Sequence, residues 1–113
     1  MNKNLDIKQL KSTGANIYLD DVREVPEGFI GTKSVNETIG LIEWLESEGV
    51  TIALLDLDHD LGEYANDGGD GIKLLDYLVE NGKFYTVNLH TFNWVARANM
   101  QRMLDRFWPK EDC

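Results

Sequence analysis

Cysteine is all but missing. The single one, Cys113, is the last residue of the sequence, so no disulfide can form within these 113 residues. Proline is nearly as scarce, at Pro26 and Pro109 only. No apolar run approaches the roughly 18 residues needed to cross a bilayer. Met1 to Lys11 alternates charge with single apolar residues and holds no apolar segment of the signal-peptide kind. Basic residues are few, 11 against 20 acidic, for a formal net charge of −9. Such a surface repels a polyphosphate backbone and lacks the basic stripe that binds nucleic acid by counterion release. The expectation is a cytoplasmic protein that enters no membrane and has no general affinity for nucleic acid. A single phosphate group remains compatible if a metal or local cations offset the field. Most of the acidic residues need no further reading than solubility.

What is present is an ordinary globular composition, 42% hydrophobic over a length of about one domain. Residues 1–113 are read as one α/β domain, with 1–15 as an N-terminal extension. In the extension Leu5, Ile7 and Leu10 suit either a short helix or an edge strand, ended by Gly14. Ile17-Tyr18-Leu19 is a buried strand that stops at Asp20-Asp21, and Pro26 and Gly28 mark a turn. Phe29–Lys33 reads as a second short strand. Ser34-x-x-Glu37 is a capping box opening a helix whose apolar face is Val35, Ile39, Ile42 and Leu45, with Leu41 and Trp44 widening it. Gly49 caps its end. Ile52–Leu55 lacks polar alternation, as a parallel strand covered on both faces does, and runs into Asp56-Leu57-Asp58-His59-Asp60. Residues 62–71 form a loop rich in Gly and Asp, flexible or serving as a lid. A helix over Ile72–Asn81, a strand over Tyr85–Leu89 and a helix over Trp94–Phe107, stopped by Pro109, complete the pattern. Trp94 and Val95 are expected on the core side of the last helix.

Strand and helix alternate, so the sheet is expected to be parallel, with helices on both faces. In such sheets ligands bind beyond the carboxyl ends of the strands. Three strands end in chemically capable residues: Asp20-Asp21, Asp58-His59-Asp60 and His90-Thr91-Phe92-Asn93. Any one has a bland reading, since Asp after a strand often caps a turn and a lone His is often a satisfied polar residue. Parallel topology brings all three to one edge. Clustered carboxylates raise electrostatic energy unless a cation or shared protons relieve it.

Carboxylates at this spacing suit a hard cation, Mg²⁺ or Ca²⁺. Asp56-x-Asp58-x-Asp60 opens like a calcium-binding EF-hand loop, but the sixth position is Leu61, the twelfth is Asp67, and the run follows a strand. Leu54-Leu55-Asp56-Leu57-Asp58 resembles the Asp-x-Asp motif of haloacid-dehalogenase-like phosphatases, but His59-Asp60 follows it and little chain remains for later motifs. His59 and His90, in different surroundings, could serve as a general base and a general acid.

Leu19-Asp20-Asp21-x-Arg23-x-x-Pro26-x-Gly28-Phe29 resembles the first motif of the cyclic-phosphate processing receiver-like domains. Leu57-Asp58-His59-Asp60-Leu61-Gly62 resembles the second, and His90-Thr91-x-Asn93, followed by Arg97, Asn99 and Met100, the third. The resemblance covers roughly residues 17–104. It implies a three-layer, flavodoxin-like sandwich of about four mainly parallel strands, truncated so that receiver strand five and its lysine have no counterpart. Receivers place an acidic pair after strand one, a phospho-accepting Asp after strand three and Thr or Ser after strand four; Asp20-Asp21, Asp58 and Thr91 fall in that order. The receiver's first helix is reduced to the loop from Arg23 to Gly28. The implied activity is phosphoesterase action on a cyclic phosphate of a nucleotide or RNA end. His59, His90 and Asp58 would be catalytic. Arg23 would clamp phosphate, with Thr91, Asn93, Asp60 and Arg97 also contacting substrate. Asp20, Asp21 and Asp58 would hold Mg²⁺ where a metal is used.

Two other functions fit the same residues. One is a module that sequesters a small cyclic nucleotide without turning it over. The other is a degenerate receiver serving as a protein-interaction surface, for which Trp44, Trp94 and Trp108 are the apolar candidates. Oligomeric state does not follow from the sequence.

Overall fold

The computed structural model describes residues 5–110. Residues 1–4 and 111–113, Cys113 among them, lie outside that range. The N-terminal segment is a helix, α1 (Ile7–Thr13), not a strand. Asp6 caps it by accepting the Gln9 N–H, and Gly14, at φ 79°, ends it with its N–H on Leu10 O. There follow β1 (Ala15–Leu19), β2 (Ile30–Thr32), α2 (Val35–Ser47), β3 (Ile52–Leu57), α3 (Ile72–Glu80), β4 (Val87–Leu89) and α4 (Trp94–Phe107). A single 3-10 turn, Gly62–Asn66, sits in the Gly- and Asp-rich loop.

The strands order as β2-β1-β3-β4, every neighbouring pair parallel. This is the flavodoxin-like order, and among the described residues no fifth strand follows β4. No described helix is long and apolar enough to cross a membrane.

Both ends of α2 follow from its sequence. Ser34 Oγ accepts the Glu37 N–H, while the Glu37 carboxylate accepts the Lys33 N–H, one residue before the cap. At the other end Gly49 N–H bonds Glu46 O and Val50 N–H bonds Leu45 O, a Schellman closure that Gly49 permits at φ 80°. Leu45 and Val50 are both buried beside it.

The layering is unequal. Helix α3 packs between α2 and α4, and all three bury their apolar stripes on one sheet face, against Ile17, Leu19, Leu55, Leu57 and Leu89. Alternation puts Asn16, Tyr18, Leu54, Asp56 and Asn88 on the other face. That face is thinly covered. Ala53 and Asn88 are exposed and Leu54 half-buried, so β3 is not enclosed on both sides as its apolar run implied. Strand β3 also runs two residues beyond the expected Leu55, through Asp56 and Leu57. An acid can sit in this strand because its side chain points away from the helix-packed face, where Asn88 and His90 bond it.

Helix α4 corrects another expectation. Ala96 and Met100 face the core, which turns Trp94 and Val95 outward, 88% and 73% exposed. Trp44 and Trp108 do pack against the core, and Trp108 Nε1 donates to Tyr85 O.

Candidate functional site at the carboxyl edge of the sheet

Backbone pairing continues one residue past three strands. Asp20 N–H donates to Thr32 O, Asp58 N–H to Leu19 O and His90 N–H to Leu57 O. The residue after each strand is thereby held in the ladder, and alternation turns Asp20, Asp58 and His90 toward the same side as Tyr18 and Asp56. The site is therefore built by strand parity as much as by strand ends.

His90 is its centre. Its Nδ1 lies 2.6 Å from Asp56 Oδ1, and its Nε2 lies 3.0 Å from Asp20 Oδ2. A neutral ring donates from only one nitrogen, so both bonds together need a proton shared between the ring and a carboxylate. The ring stacks on Tyr18 at 4.4 Å between centroids and 2° between planes. Asp56 also accepts from Asn88 Nδ2.

Asp20 is 3% exposed. Burial by itself raises its pKa, but the backbone N–H groups of Arg23 and Val22, together with His90, outweigh that and hold the carboxyl below its ordinary range. Asp58 goes the other way. Burial, reinforced by the Asp20 charge, raises it, although it accepts the His59 N–H and bonds the Thr91 hydroxyl. Two carboxylates at one point thus differ in their hold on a proton. Asp20, Asp58 and His90 can place one donor atom each within 4.8 Å of the others.

Arg23 is held on three sides. Its Nη1 donates to His90 O at 2.8 Å, its Nε lies 3.8 Å from Asp20, and its guanidinium stacks 4.4 Å over the Phe92 ring. The structure places this arginine at the cluster, where the sequence could only align it with a motif. Thr91 is buried, and its Oγ1 accepts the Asn93 N–H. Asn93 caps α4 through the Ala96 N–H and donates from Nδ2 to Asp60. Its position is thus explained by helix geometry as well as by any ligand.

His59 belongs to a second group with Asp60 and Asp70. Its Nε2 is 3.9 Å from Asp60, and its buried Nδ1 has no hydrogen-bond partner. Asp70 accepts the Leu61 N–H, tying the loop down. Asp21, expected beside Asp20, is not part of the cluster around His90; its carboxylate lies against Gly62, and its carbonyl accepts from Lys33 Nζ. Arg97 is exposed and lines a cleft of about 300 Å³ with Thr91, Phe92 and Trp94.

Two residues of the cluster are not among the site residues that the motifs imply: Asp56, which precedes the second motif, and Tyr18, which reads as part of a buried strand. Each lies two residues before a cluster aspartate, in register with the other (Tyr18↔Asp56), so strand parity was the available signal.

The parallel order, the acids after β1 and β3 and the threonine after β4 define a receiver-like α/β domain. Within that class the chain belongs to the cyclic-phosphate processing receiver domain family, whose profile matches residues 15–106. Comparison with curated proteins and with solved structures finds no match.

Proposed function

We propose that the chain opens a cyclic phosphodiester of a nucleotide or RNA end by acid–base hydrolysis at the His90 cluster. The observation that carries this reading is the chain Asp56–His90–Asp20, with Nδ1 on one carboxylate and Nε2 directed at the carboxylate cluster. Asp56 fixes the orientation of the ring, and Nε2 becomes the working nitrogen when Asp20 gives up its bond to it. Water attacks phosphorus in line, forming one P–O bond as the ring P–O bond breaks. His90 Nε2 takes the proton of the attacking water. The leaving alkoxide oxygen takes a proton from a second acid, the role this reading gives to His59. Arg23 has its guanidinium held beside the cluster, with 33% of its side chain still exposed, and would contact the phosphoryl oxygens. Thr91 would orient Asp58, and Arg97, Asn93 and Asp60 would line the substrate side.

Asp20 and Asp58 fit Mg²⁺, which takes one or two carboxylates and keeps water in its remaining positions. Burial and, after it, the Asp20 charge raise the Asp58 carboxyl, and a cation between the two would offset both. Bound Mg²⁺ would offset charge on the phosphoryl oxygens. Asp21 would need a different side-chain position to join the set.

A binding module that holds a cyclic nucleotide unchanged is the second reading. It is favoured by one observation: both ring nitrogens of His90 are already engaged, so proton transfer requires Asp20 to give up its bond. The deciding experiment incubates the protein with cyclic mononucleotides and cyclic-phosphate-ended RNAs, with Mg²⁺ or with chelator, and follows products by phosphorus NMR. Ring opening that disappears in His90→Ala supports the enzyme. Intact ligand recovered from the protein supports the module. Neither turnover nor binding overturns both.

A further inference from the structure

Two large aromatic rings stand in solvent beside the cluster. Phe92 is 84% exposed and Trp94 is 88% exposed, at adjacent alternate positions of the loop and first turn that follow His90. Neither ring serves the core, which α4 reaches through Ala96 and Met100. Nor does capping explain them, since Asn93 performs that function between them. Rings of this size normally bury most of their area, and exposing two together marks a surface that meets something apolar.

The surroundings narrow what that is. The rings and Arg97 line a cleft of about 300 Å³ whose remaining wall is Thr91, the residue bonded to Asp58. The Arg23 guanidinium lies over one ring, Phe92, and also bonds the His90 carbonyl, so the aromatic pair is physically coupled to the cluster. A planar group with a π-face and a polar edge suits this cleft: its face can stack on indole or phenyl, and its carbonyl edge can accept from Arg97. The chain charge of −9 disfavours a run of phosphates and favours one nucleotide unit.

We infer that Trp94 and Phe92, with Arg97, form a nucleobase-stacking subsite that makes the ligand a nucleoside cyclic phosphate and not a base-free cyclic phosphate ester. This rests on the reading of the His90 cluster as a cyclic-phosphate site. It assigns the two rings to specificity, with no part in proton transfer.

The test measures binding of 2′,3′-cyclic AMP, 2′,3′-cyclic UMP and glycerol cyclic phosphate, which has the ring but no base. Calorimetry and tryptophan fluorescence are read for the wild type, Trp94→Ala, Trp94→Phe and Phe92→Ala, and ring opening is followed in parallel. Because both residues are exposed, the variants are expected to melt with the wild type. Trp94→Ala is expected to weaken the two nucleotides by about tenfold or more, as loss of one stacking contact does, and to remove the fluorescence quenching they cause. Trp94→Phe should recover most of the affinity, and glycerol cyclic phosphate should be unaffected by either Trp94 variant; Phe92→Ala, which also removes the ring under Arg23, is expected to weaken the nucleotides more than the base-free ester. Equal effects on all three ligands, or on none, overturn the subsite while leaving the cyclic-phosphate reading standing. Trp94-dependent nucleotide binding without ring opening supports the subsite and removes the hydrolase reading. A wild type that binds none of the ligands overturns both. Self-association that vanishes in Trp94→Ala, with no effect on ligand, gives the rings to a second copy and overturns the subsite.

Discussion

Asp56 and His90 are 34 residues apart in sequence, yet Oδ1 of one and Nδ1 of the other lie 2.6 Å apart. The contact spans neighbouring parallel strands, because Asp56 pairs with Asn88 and His90 follows two residues later on the same side. Such a carboxylate fixes the orientation of the ring. Asp56→Asn is expected to lower kcat for ring opening by about 10- to 100-fold, as loss of an orienting partner does, with KM nearly unchanged. His90→Ala should cost more, on the order of 10²–10⁴. Steady-state kinetics on the purified variants decides this. Unchanged kcat in Asp56→Asn would mean that the acid only braces Asn88.

The two cluster aspartates should leave opposite marks on stability. Burial and the Asp20 charge put the folded-state pKa of Asp58 above its unfolded value. The protonated form is then favoured by folding, so its contribution is complete below about pH 4 and is lost as pH rises through the raised value. Asp58→Asn removes that loss while keeping an acceptor for the His59 N–H. It should melt higher than wild type at pH 7, with the gap closing toward pH 4. Thermal melts over that range check the sign, and a lower melting temperature at pH 7 would contradict it.

Asp20, held below its ordinary range despite burial, stabilises the fold at neutral pH. That contribution is lost as pH falls from about 4 through the lowered value. Asp20→Ala also removes the acceptor for two backbone N–H groups, at a cost of about 1–3 kcal/mol. Denaturant titration at pH 7 and pH 3 should find a large loss at the first and a smaller one at the second.

Gly71 looks like one glycine of a flexible loop in the sequence, and packing gives it a fixed task. A Cβ there would lie 2.0 Å from Asp58 O, and its N–H already bonds His59 O. Gly71→Ala should cost about 1–3 kcal/mol and disturb the Asp58–His59 segment. Gly28, at φ 85° with nothing within 4 Å of such a Cβ, meets backbone strain alone, about 1–2 kcal/mol. Chemical denaturation should find both variants destabilised, and amide chemical shifts at Asp58 and His59 should move only in Gly71→Ala.

Ser34 joins α2 to the loop after β3, accepting the Glu37 N–H and donating to Asp67 Oδ2 at 2.7 Å. Ser34→Ala should lose about 1–2 kcal/mol, more than Ser47→Ala, whose hydroxyl only bonds Trp44 O on the exposed end of the helix. Urea midpoints compare the two.

The alternation of apolar runs with helical patterns, the capping box at Ser34 and the glycine after α2 are local signals, and each became the element it implied. The order of acids and histidine after successive strands was equally legible. Parallel connections send every strand the same way, so Asp20, Asp58 and His90 had to reach one edge. What the chain does not write locally is which side of the sheet a residue faces and what covers that side. Helices α2, α3 and α4 gather on one face, so Asp56 can lie within a strand, Tyr18 can stack on His90, and the cluster turns onto the thinly covered side. Register across β1, β3 and β4 then decides which acid meets the imidazole. Likewise an apolar residue near a helix start has no fixed side until the helix docks. Ala96 and Met100 set that docking, and Trp94 faces solvent beside the cluster.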